Sequence, residues 1–321
     1  MRVLLTTTSF QDTPGKHHEI LAQGGYEIVR QRGPLPEKKM LELIGSPGGF
    51  DAFLCGDDDI TARVIDAALP RLRVIAKYGI GLDKIDLEHA SAKKIPVLNT
   101  PGVNHTTVAE HTIGLMIAVA KGFWFHAKSV KAGQWKRQTG YELADKTLGI
   151  LGLGRIGKEV AKRAAAMEMK LLAYDQYWDE GFAREYDVRR INSIDEILRQ
   201  SDVVTLHMNL TDDVRGCINK KTLAVMRKNA ILVNTGRGGL VVEADVAEAC
   251  KSGQLLGYGA DVIEEEPIKP PHPFMEIDNI IITPHIASRT YESVQRQGVR
   301  AALNLVNFLK GDKDYIQANK F

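Results

Sequence analysis

Cysteine is scarce in this sequence, and its few cysteines are not spaced as pairs. Cys55, Cys217 and Cys250 lie far apart, and neither a CxxC motif nor a cluster of histidines accompanies them. A disulfide framework needs an even set of cysteines, and a zinc site needs ligands at short spacings. The sequence therefore predicts free thiols in a reducing compartment and no metal site.

A surplus of charge of one sign is also lacking. The 42 lysines and arginines nearly balance the 40 aspartates and glutamates, for a formal net charge of +2, and no long run of one sign occurs. Nucleic-acid binding needs a clustered basic face, and binding to a membrane surface needs a basic amphipathic segment. We expect neither nucleic acid nor a membrane among the partners.

Long hydrophobic runs are missing as well. The longest, Ile113–Ala120, is far shorter than the roughly 20 residues that a membrane helix requires. The apolar stretch at the N-terminus is too short for a secretory signal and has no cleavage site of small residues. These features predict a cytoplasmic protein.

The sequence does contain a regular alternation of short apolar strands and helical segments. A length of 321 residues suits two domains, and strands separated by helices predict parallel βαβ units. We therefore predict an α/β protein with two doubly wound parallel sheets. Proline-containing crossings at 99–102 and 283–285 divide it into a discontinuous domain, 1–99 plus 286–321, and a continuous one, 100–285.

The predicted helix over 106–121 is apolar on all sides. A helix of this kind is buried on several faces. One reading covers it with the sheet on one face and a second subunit on the other, which predicts a homodimer through this region. The other makes it a core helix of a large monomer.

A glycine-rich motif, Gly152-Leu153-Gly154-Arg155-Ile156-Gly157, follows a predicted strand and opens a predicted helix. In this context the glycines permit a tight turn, close approach of a pyrophosphate and close packing of helix on strand. Asp175 ends the next strand, about 20 residues on, where a carboxylate binds the ribose hydroxyls of NAD and repels a 2′-phosphate. The motif predicts NAD as the cofactor.

Three polar segments follow later strands, at the sheet edge where α/β proteins bind ligands. They are 234–239 (NTGRGG), 261–267 (DVIEEEP) and 283–288 (TPHIAS). Together with the Tyr78–Asp83 loop, the 99–102 crossing and the glycine motif, they closely resemble the D-isomer-specific 2-hydroxyacid dehydrogenase family. The resemblance covers nearly the whole chain.

Membership would imply a Rossmann-type NAD domain inserted in a flavodoxin-like substrate domain. It implies catalytic roles for Arg237, Glu266 and His285. It places Gly152, Gly154, Arg155, Ile156, Gly157, Asp175, Thr235, Asp261 and Ala287 at the cofactor. It also places the substrate carboxylate on the loop formed by Tyr78, Gly79, Ile80 and Gly81, with Lys77, Asn104 and Trp135 as further candidates near the substrate.

These residue types suit hydride transfer at C2 of a 2-keto acid. A guanidinium stays charged and can bind the carboxylate while it polarises the carbonyl. A histidine can protonate the developing alkoxide, and a neighbouring carboxylate favours its charged form and orients the ring. The remaining histidines are predicted to be structural, with His207, near the cofactor edge, the strongest exception.

Three alternatives stay open. The chain could be phosphoglycerate dehydrogenase itself, but the run Asp57-Asp58-Asp59 would repel a phosphate at close range. It could be a non-catalytic module that senses NAD(H), or it could oxidise formate or phosphite on the same fold. Because the chain stops at Phe321, we expect no appended regulatory domain.

Overall fold

The structure is a computed structural model that describes every residue from Met1 to Phe321. The chain divides into two compact units. Unit 1 comprises Met1–Asn104 and Arg289–Phe321, and unit 2 comprises His105–Ser288.

The chain has twelve strands, which form one sheet of five strands in unit 1 and one sheet of seven strands in unit 2. The strands of unit 1 are β1 (Arg2–Leu5), β2 (Glu27–Arg30), β3 (Ala52–Cys55), β4 (Val74–Lys77) and β5 (Val97–Leu98). The strands of unit 2 are β6 (Thr147–Leu151), β7 (Lys170–Tyr174), β8 (Val188–Arg190), β9 (Val203–Leu206), β10 (Ala230–Asn234), β11 (Leu255–Ala260) and β12 (Ile280–Ile282).

Thirteen α-helices connect and cover the strands. In unit 1 they begin with α1 (Thr8–Asp12), α2 (Lys16–Ala22), α3 (Glu37–Ile44), α4 (Ala62–Ala68) and α5 (Leu87–Ala92). Unit 2 contains α6 (His105–Ala120), α7 (Phe123–Lys131), α8 (Arg155–Ala166), α9 (Glu180–Glu185), α10 (Ile194–Gln200), α11 (Lys220–Val225) and α12 (Glu243–Lys251). The chain then returns to unit 1 as α13 (Tyr291–Lys310).

The sheet of unit 1 has the order β2-β1-β3-β4-β5, and all its strands are parallel. This is the flavodoxin-like doubly wound order. Every residue of β3 and β4 is buried, because helices cover both faces of the sheet. Phe53 and Ile75 point into one apolar core, and Leu54 and Ala76 point into another that includes α13.

The sheet of unit 2 has the order β12-β11-β10-β9-β6-β7-β8, again with parallel neighbours throughout. Six of its strands follow the Rossmann order. In this order the chain adds strands outward on one side of β6 and then, from β9 onward, on the other side, so the switch point lies between β6 and β9. Helices α6 and α8 pack together, and their apolar residues share one core cluster. Apolar residues of α10, α11 and α12 join a second cluster.

The predicted fold class is confirmed, since both sheets are parallel and doubly wound. The sequence pattern predicts a strand over 258–262, whereas β11 runs over Leu255–Ala260. Gly257 and Gly259 lower the strand propensity of this segment. The close packing of α6 nevertheless requires residues without a side chain at these positions. A Cβ on Gly257 would lie 2.8 Å from the Val119 side chain, and one on Gly259 would lie 3.1 Å from Leu115.

Strands β2, β5 and β8 were not predicted from the sequence. They are short, and β2 and β8 leave several side chains in solvent, so they lack a continuous apolar run. No helix of the structure combines the length and apolar character needed to cross a membrane.

Candidate active site

Three predicted catalytic side chains follow neighbouring strands of unit 2. Arg237 follows β10, Glu266 follows β11 and His285 follows β12, and these strands lie side by side in the sheet. The carboxyl ends of parallel strands meet at one edge, which is where doubly wound proteins bind ligands. The fold thus brings the three segments to the same edge.

The loop that carries Arg237 is held by the fully buried Asn234. The Asn234 amide nitrogen donates to the Arg237 carbonyl at 2.9 Å, and its oxygen accepts from the Gly236 amide at 3.0 Å. Nη1 of Arg237 also donates to the Gly236 carbonyl at 2.8 Å. The half-buried guanidinium of Arg237 therefore lies on a loop whose backbone is held by Asn234.

The next glycine joins this loop to the segment that leads to Glu266. A Cβ on Gly238 would lie 2.0 Å from the carbonyl carbon of Ile263. No other residue fits there without movement of the backbone. This contact explains why glycine follows Arg237. It also shows that the loop after β10 packs closely against the loop after β11.

His285 and Glu266 form a direct pair. The Nδ1 atom of His285 lies 2.7 Å from Oε2 of Glu266, while Oε1 accepts from the Ile263 amide at 3.3 Å. His285 has φ = 52°, which non-glycine residues adopt rarely and mostly where the surroundings enforce it. Because the carboxylate engages Nδ1, any proton exchange between this imidazole and a substrate would pass through Nε2.

Asp261 organises the backbone around His285. Its carboxylate is 2% exposed and accepts from the Ile286 amide at 2.8 Å, the Ala287 amide at 2.7 Å and the Thr283 hydroxyl at 2.6 Å. The Asp261 carbonyl accepts from the His285 amide at 3.0 Å. A single buried anion thus fixes the entire loop that carries the histidine.

The residues predicted at the nicotinamide half of the cofactor join this network. Thr235 is buried and shares a 2.8 Å hydrogen bond with the hydroxyl of Thr112 in α6. Thr107, also in α6, donates to the Ala287 carbonyl at 3.2 Å. Sequence reasoning missed these anchors and the role of Asn234, because their only signal is a buried polar residue beside a loop.

The glycine motif has the geometry of a dinucleotide site. Gly152 has φ = 101°, and a Cβ there would lie 2.7 Å from the His207 backbone, while a Cβ on Gly157 would lie 2.1 Å from the Gly152 carbonyl oxygen. By contrast, a Cβ on Gly154 would meet no atom within 4 Å. The space before the first turn of α8 is therefore open, and Arg155 stands exposed beside it.

Asp175 stands at the end of β7 and faces this loop. Its carboxylate accepts from the Leu153 amide at 2.6 Å and from the Tyr177 amide at 2.7 Å. A carboxylate has about four acceptor positions, so it can still bind ribose hydroxyls. The exposed Gln176 and Tyr177 follow it and supply no cation for a 2′-phosphate. The residues present fit NAD.

In unit 1, the predicted carboxylate loop begins directly after β4. Gly79 has φ = 138°, and its amide donates to the Thr100 hydroxyl at 3.1 Å. Gly79 is thus already engaged, whereas the amides of Ile80 and Gly81 have no acceptor within the chain. This loop therefore has two backbone donors available to an anion.

The aspartate run after β3 is more nearly neutralised than the sequence suggests. Asp57 pairs with the buried Lys77 at 2.5 Å, and Asp59 pairs with Lys84 at 3.0 Å. Asp58 is fully buried and accepts from the Thr6 hydroxyl and from two backbone amides; burial raises the pKa of its carboxyl group. Repulsion of a phosphate by these carboxylates is therefore weaker than the sequence argument assumed.

Other residues considered from the sequence have distinct surroundings. Trp135 is 76% exposed, and the buried Asn104 side-chain oxygen has no hydrogen-bond partner. Nε2 of His207 pairs with the Thr205 hydroxyl at 2.9 Å, and desolvation lowers the pKa of the His207 imidazole to about 3. No group of three or more acidic, histidine or cysteine side chains is arranged to hold a metal ion.

Comparison with known proteins extends this picture. The family model described as D-isomer specific 2-hydroxyacid dehydrogenase, NAD binding domain, matches residues 113–287. A glyoxylate reductase of Thermofilum pendens is 40% identical over 292 residues, which are 87% of this chain and 84% of that protein.

Two further relatives are named for other activities. A D-3-phosphoglycerate dehydrogenase of Archaeoglobus fulgidus is 38% identical over 91% of this chain, which spans only 55% of that longer protein. The structure of D-lactate dehydrogenase from Aquifex aeolicus with NAD and lactic acid superposes with a TM-score of 0.84 at 29% identity. That match covers 97% of this chain and 96% of the other.

The Rossmann sheet, the glycine loop and the polar edge define a dinucleotide-dependent oxidoreductase. The comparisons narrow the class, and the chain belongs to the D-isomer-specific 2-hydroxyacid dehydrogenase family.

Proposed function

We propose that this protein reduces small 2-keto acids to D-2-hydroxy acids with NADH. The observation that carries the proposal is the His285–Glu266 pair, whose Nδ1 and Oε2 atoms lie 2.7 Å apart. The loop that carries Glu266 packs against the loop that carries Arg237, and strands β10, β11 and β12 lie side by side. The names of the relatives, glyoxylate reductase and D-lactate dehydrogenase, support the same chemistry.

The proposed roles follow from the geometry of each side chain. NADH, when bound, supplies the hydride that adds to C2. Arg237 binds the substrate carboxylate and polarises the keto oxygen, and Nε2 of protonated His285 gives that oxygen its proton. Glu266 orients the imidazole through Nδ1 and stabilises its charged form, as the aspartate does in a Ser-His-Asp triad.

We assign cofactor binding to unit 2 and the backbone part of carboxylate recognition to unit 1. Gly154, Arg155 and Ile156 lie at the open N-terminus of α8, where backbone amides and the helix dipole favour a pyrophosphate. In unit 1 the amides of Ile80 and Gly81 are available for a carboxylate oxygen. Tyr78 and Gly79 shape that loop.

The test is an NADH-oxidation screen over glyoxylate, pyruvate, hydroxypyruvate and longer 2-keto acids, repeated with NADPH. We expect turnover of at least one acid with NADH and a clear preference for NADH over NADPH. If NADH binds but no acid is reduced, the protein is a dinucleotide-sensing module and the proposal fails. Including formate and phosphite with NAD tests the remaining alternative.

A second candidate is phosphoglycerate dehydrogenase itself. The pairing of Asp57 with Lys77 and of Asp59 with Lys84 removes much of the charge that opposed a phosphate, and relatives with that name match most of this chain. Oxidation of D-3-phosphoglycerate with NAD, measured beside the 2-keto acid screen, distinguishes the two.

We also propose that the protein is a homodimer. Within a short stretch that starts at α7, several large apolar side chains are more than two-fifths exposed: Phe123, Trp124, Val130, Trp135 and Tyr141. The adjoining face of α6 exposes Gly114 and partly exposes Ile117 and Ala118. Monomers rarely expose so large an apolar patch, and a second copy would cover it.

A cytoplasmic location is proposed from the cysteines. All three are free thiols, and burial raises the pKa of Cys55 and Cys250 to about 12. Cell fractionation with an antibody to the protein tests the location, and recovery from the medium would contradict it.

A further inference from the structure

Charged side chains surround the carboxyl edge of the unit 1 sheet. On one side of this edge, two arginines share a single aspartate, so positive charge exceeds negative charge. Beyond β3 and β4, Lys77 and Lys84 are each paired with an aspartate. Beyond β1, by contrast, Asp12 is shared by two arginines: Arg32 binds it with two bonds of 2.8 Å, and Arg289 contacts it at 3.2 Å.

Arg289 supplies the excess charge. One carboxylate cannot neutralise two guanidiniums, and Arg32 already occupies both oxygens of Asp12. Arg289 makes only the one bond, through Nη2, and its side chain is 41% exposed. A guanidinium has five N–H donors, so most of those on Arg289 remain available to a ligand.

A second donor is the hydroxyl of Tyr78, whose ring packs against the helix that carries Asp12. Tyr78 is only 9% exposed, and its buried hydroxyl has no hydrogen-bond partner. The ring packs edge-on against Phe10 of α1, the same short helix whose Asp12 contacts Arg289. Ser9 of that helix and Arg289 both favour the ionised phenol, but less than burial opposes it. Burial raises the pKa of this phenol, so it stays a neutral hydrogen-bond donor.

Tyr78 also connects this corner to the carboxylate loop. It directly precedes the segment in which the amides of Ile80 and Gly81 have no acceptor. Unit 1 therefore contains two groups of donors, one built from the backbone amides of the loop and one from Arg289 and Tyr78, and Tyr78 belongs to the chain segment that leads into the loop. A ligand with an anionic group at each end would satisfy both.

We propose that Arg289 and Tyr78 bind a second anionic group, a carboxylate or a phosphate, at the far end of the 2-keto acid substrate. This proposal rests on the proposed function and names the substrate class: keto acids with two anionic ends. Both anions match the donor geometry of a guanidinium, so the experiment includes one substrate of each kind.

The experiment compares kcat/KM within two matched pairs, oxaloacetate against pyruvate and 3-phosphohydroxypyruvate against hydroxypyruvate. We expect the wild-type enzyme to prefer the doubly anionic member of at least one pair. Arg289→Gln should lower that preference about 10- to 100-fold, the range for hydrogen bonds to charged groups, and Tyr78→Phe should lower it up to about 10-fold.

The matched control is Arg63→Gln. Arg63 is also an exposed arginine of unit 1 in an ion pair, with Glu37 at 2.8 Å. It should leave the substrate preference unchanged. Equal preference in wild-type and Arg289→Gln proteins, or a wild-type preference for the singly anionic acids, would overturn the proposal.

A binding measurement separates this proposal from the proposed function. Titration calorimetry in the presence of NADH should show tighter binding of D-malate than of D-lactate, or of D-3-phosphoglycerate than of D-glycerate. The difference should disappear in Arg289→Gln. If no keto acid is reduced but this difference is found, the proposed function fails and the anion site stands; if both ligands of each pair bind equally, the anion site fails.

Discussion

At the scale of single residues, Asp261 shows how one buried carboxylate can organise the loop that carries a proposed catalytic residue. It satisfies two backbone amides and one hydroxyl in the loop of His285. That loop holds its histidine at φ = 52°, a conformation that costs of order 1–3 kcal/mol and persists only where the surroundings enforce it.

Asp261→Asn is therefore expected to weaken the loop. An amide offers one acceptor oxygen and places an NH2 group against a backbone N–H, so stability should fall by about 1.5–3 kcal/mol, the range for hydrogen bonds to charged groups. Urea denaturation measures the loss, and kcat should fall with it. Unchanged stability and kcat would show that the network does not position His285.

His207 gives a prediction on pH. Its pKa in the folded protein is lowered to about 3 by desolvation, whereas an unfolded histidine has a pKa of about 6.5. Below about pH 6.5 the imidazole of His207 therefore binds a proton in the unfolded chain but not in the folded chain. The free energy of unfolding consequently falls as the pH falls. Between pH 7 and pH 5 the loss from this group is at most about 2 kcal/mol.

The measurement is urea denaturation of wild-type and His207→Gln proteins at pH 7 and pH 5. Glutamine does not titrate, so the variant should lose less stability over this interval. If both proteins lose the same free energy, His207 is not neutral in the folded state for the reason given.

At the scale of elements, the glycine motif separates folding from ligand binding. A Cβ on Gly154 meets nothing, and alanine in place of glycine at a helix N-cap costs about 1 kcal/mol or less. Gly154→Ala should therefore fold normally but lose at least about 10-fold in NADH affinity, because its methyl group occupies space that a pyrophosphate needs.

Gly157→Ala is the matched comparison. Its Cβ would lie 2.1 Å from the Gly152 carbonyl oxygen, so it should lower the melting temperature as well as the affinity. Fluorescence titration with NADH and thermal unfolding measure the two effects. Normal NADH affinity in Gly154→Ala would place the cofactor elsewhere.

The elements also show what a sequence can and cannot predict here. Buried strands such as β3 and β4 are continuous apolar runs, and the glycine motif has its own signature, so sheets and cofactor loop are visible in the sequence. Strand β11 is obscured by Gly257 and Gly259, whose purpose is the approach of α6. Tertiary contacts of this kind decide structure without leaving a local pattern.

The same limit applies to the candidate site. Arg237, Glu266, His285 and Asp261 can be predicted from the sequence because they lie in motifs that resemble those of the family. Asn234 cannot, because its role lies in hydrogen bonds that hold the Arg237 loop. The net charge around the aspartate run likewise depends on tertiary contacts, since its partners Lys77 and Lys84 come from the next strand and its following loop.

At the scale of the whole molecule, the apolar patch on unit 2 predicts association. Trp124 is 53% exposed, so Trp124→Glu should fold yet convert a dimer to a monomer, because a charge at the centre of an apolar interface is poorly solvated. Analytical ultracentrifugation at micromolar concentration measures the mass.

Tyr177→Glu is the control, since this residue is an 88% exposed aromatic of the same unit outside the patch. It should remain dimeric. A monomeric wild-type protein, or a dimeric Trp124→Glu variant, would contradict the homodimer.

The central claim is that the imidazole of His285, held by Glu266, supplies the proton for reduction. The most direct test is kcat of His285→Ala on the preferred 2-keto acid, with the dissociation constant of NADH measured on the same protein. We predict a fall in kcat of about 10²–10⁴ with NADH affinity within about threefold of wild type, since His285 lies outside the glycine motif. A variant that turns over at nearly the wild-type rate would contradict the mechanism.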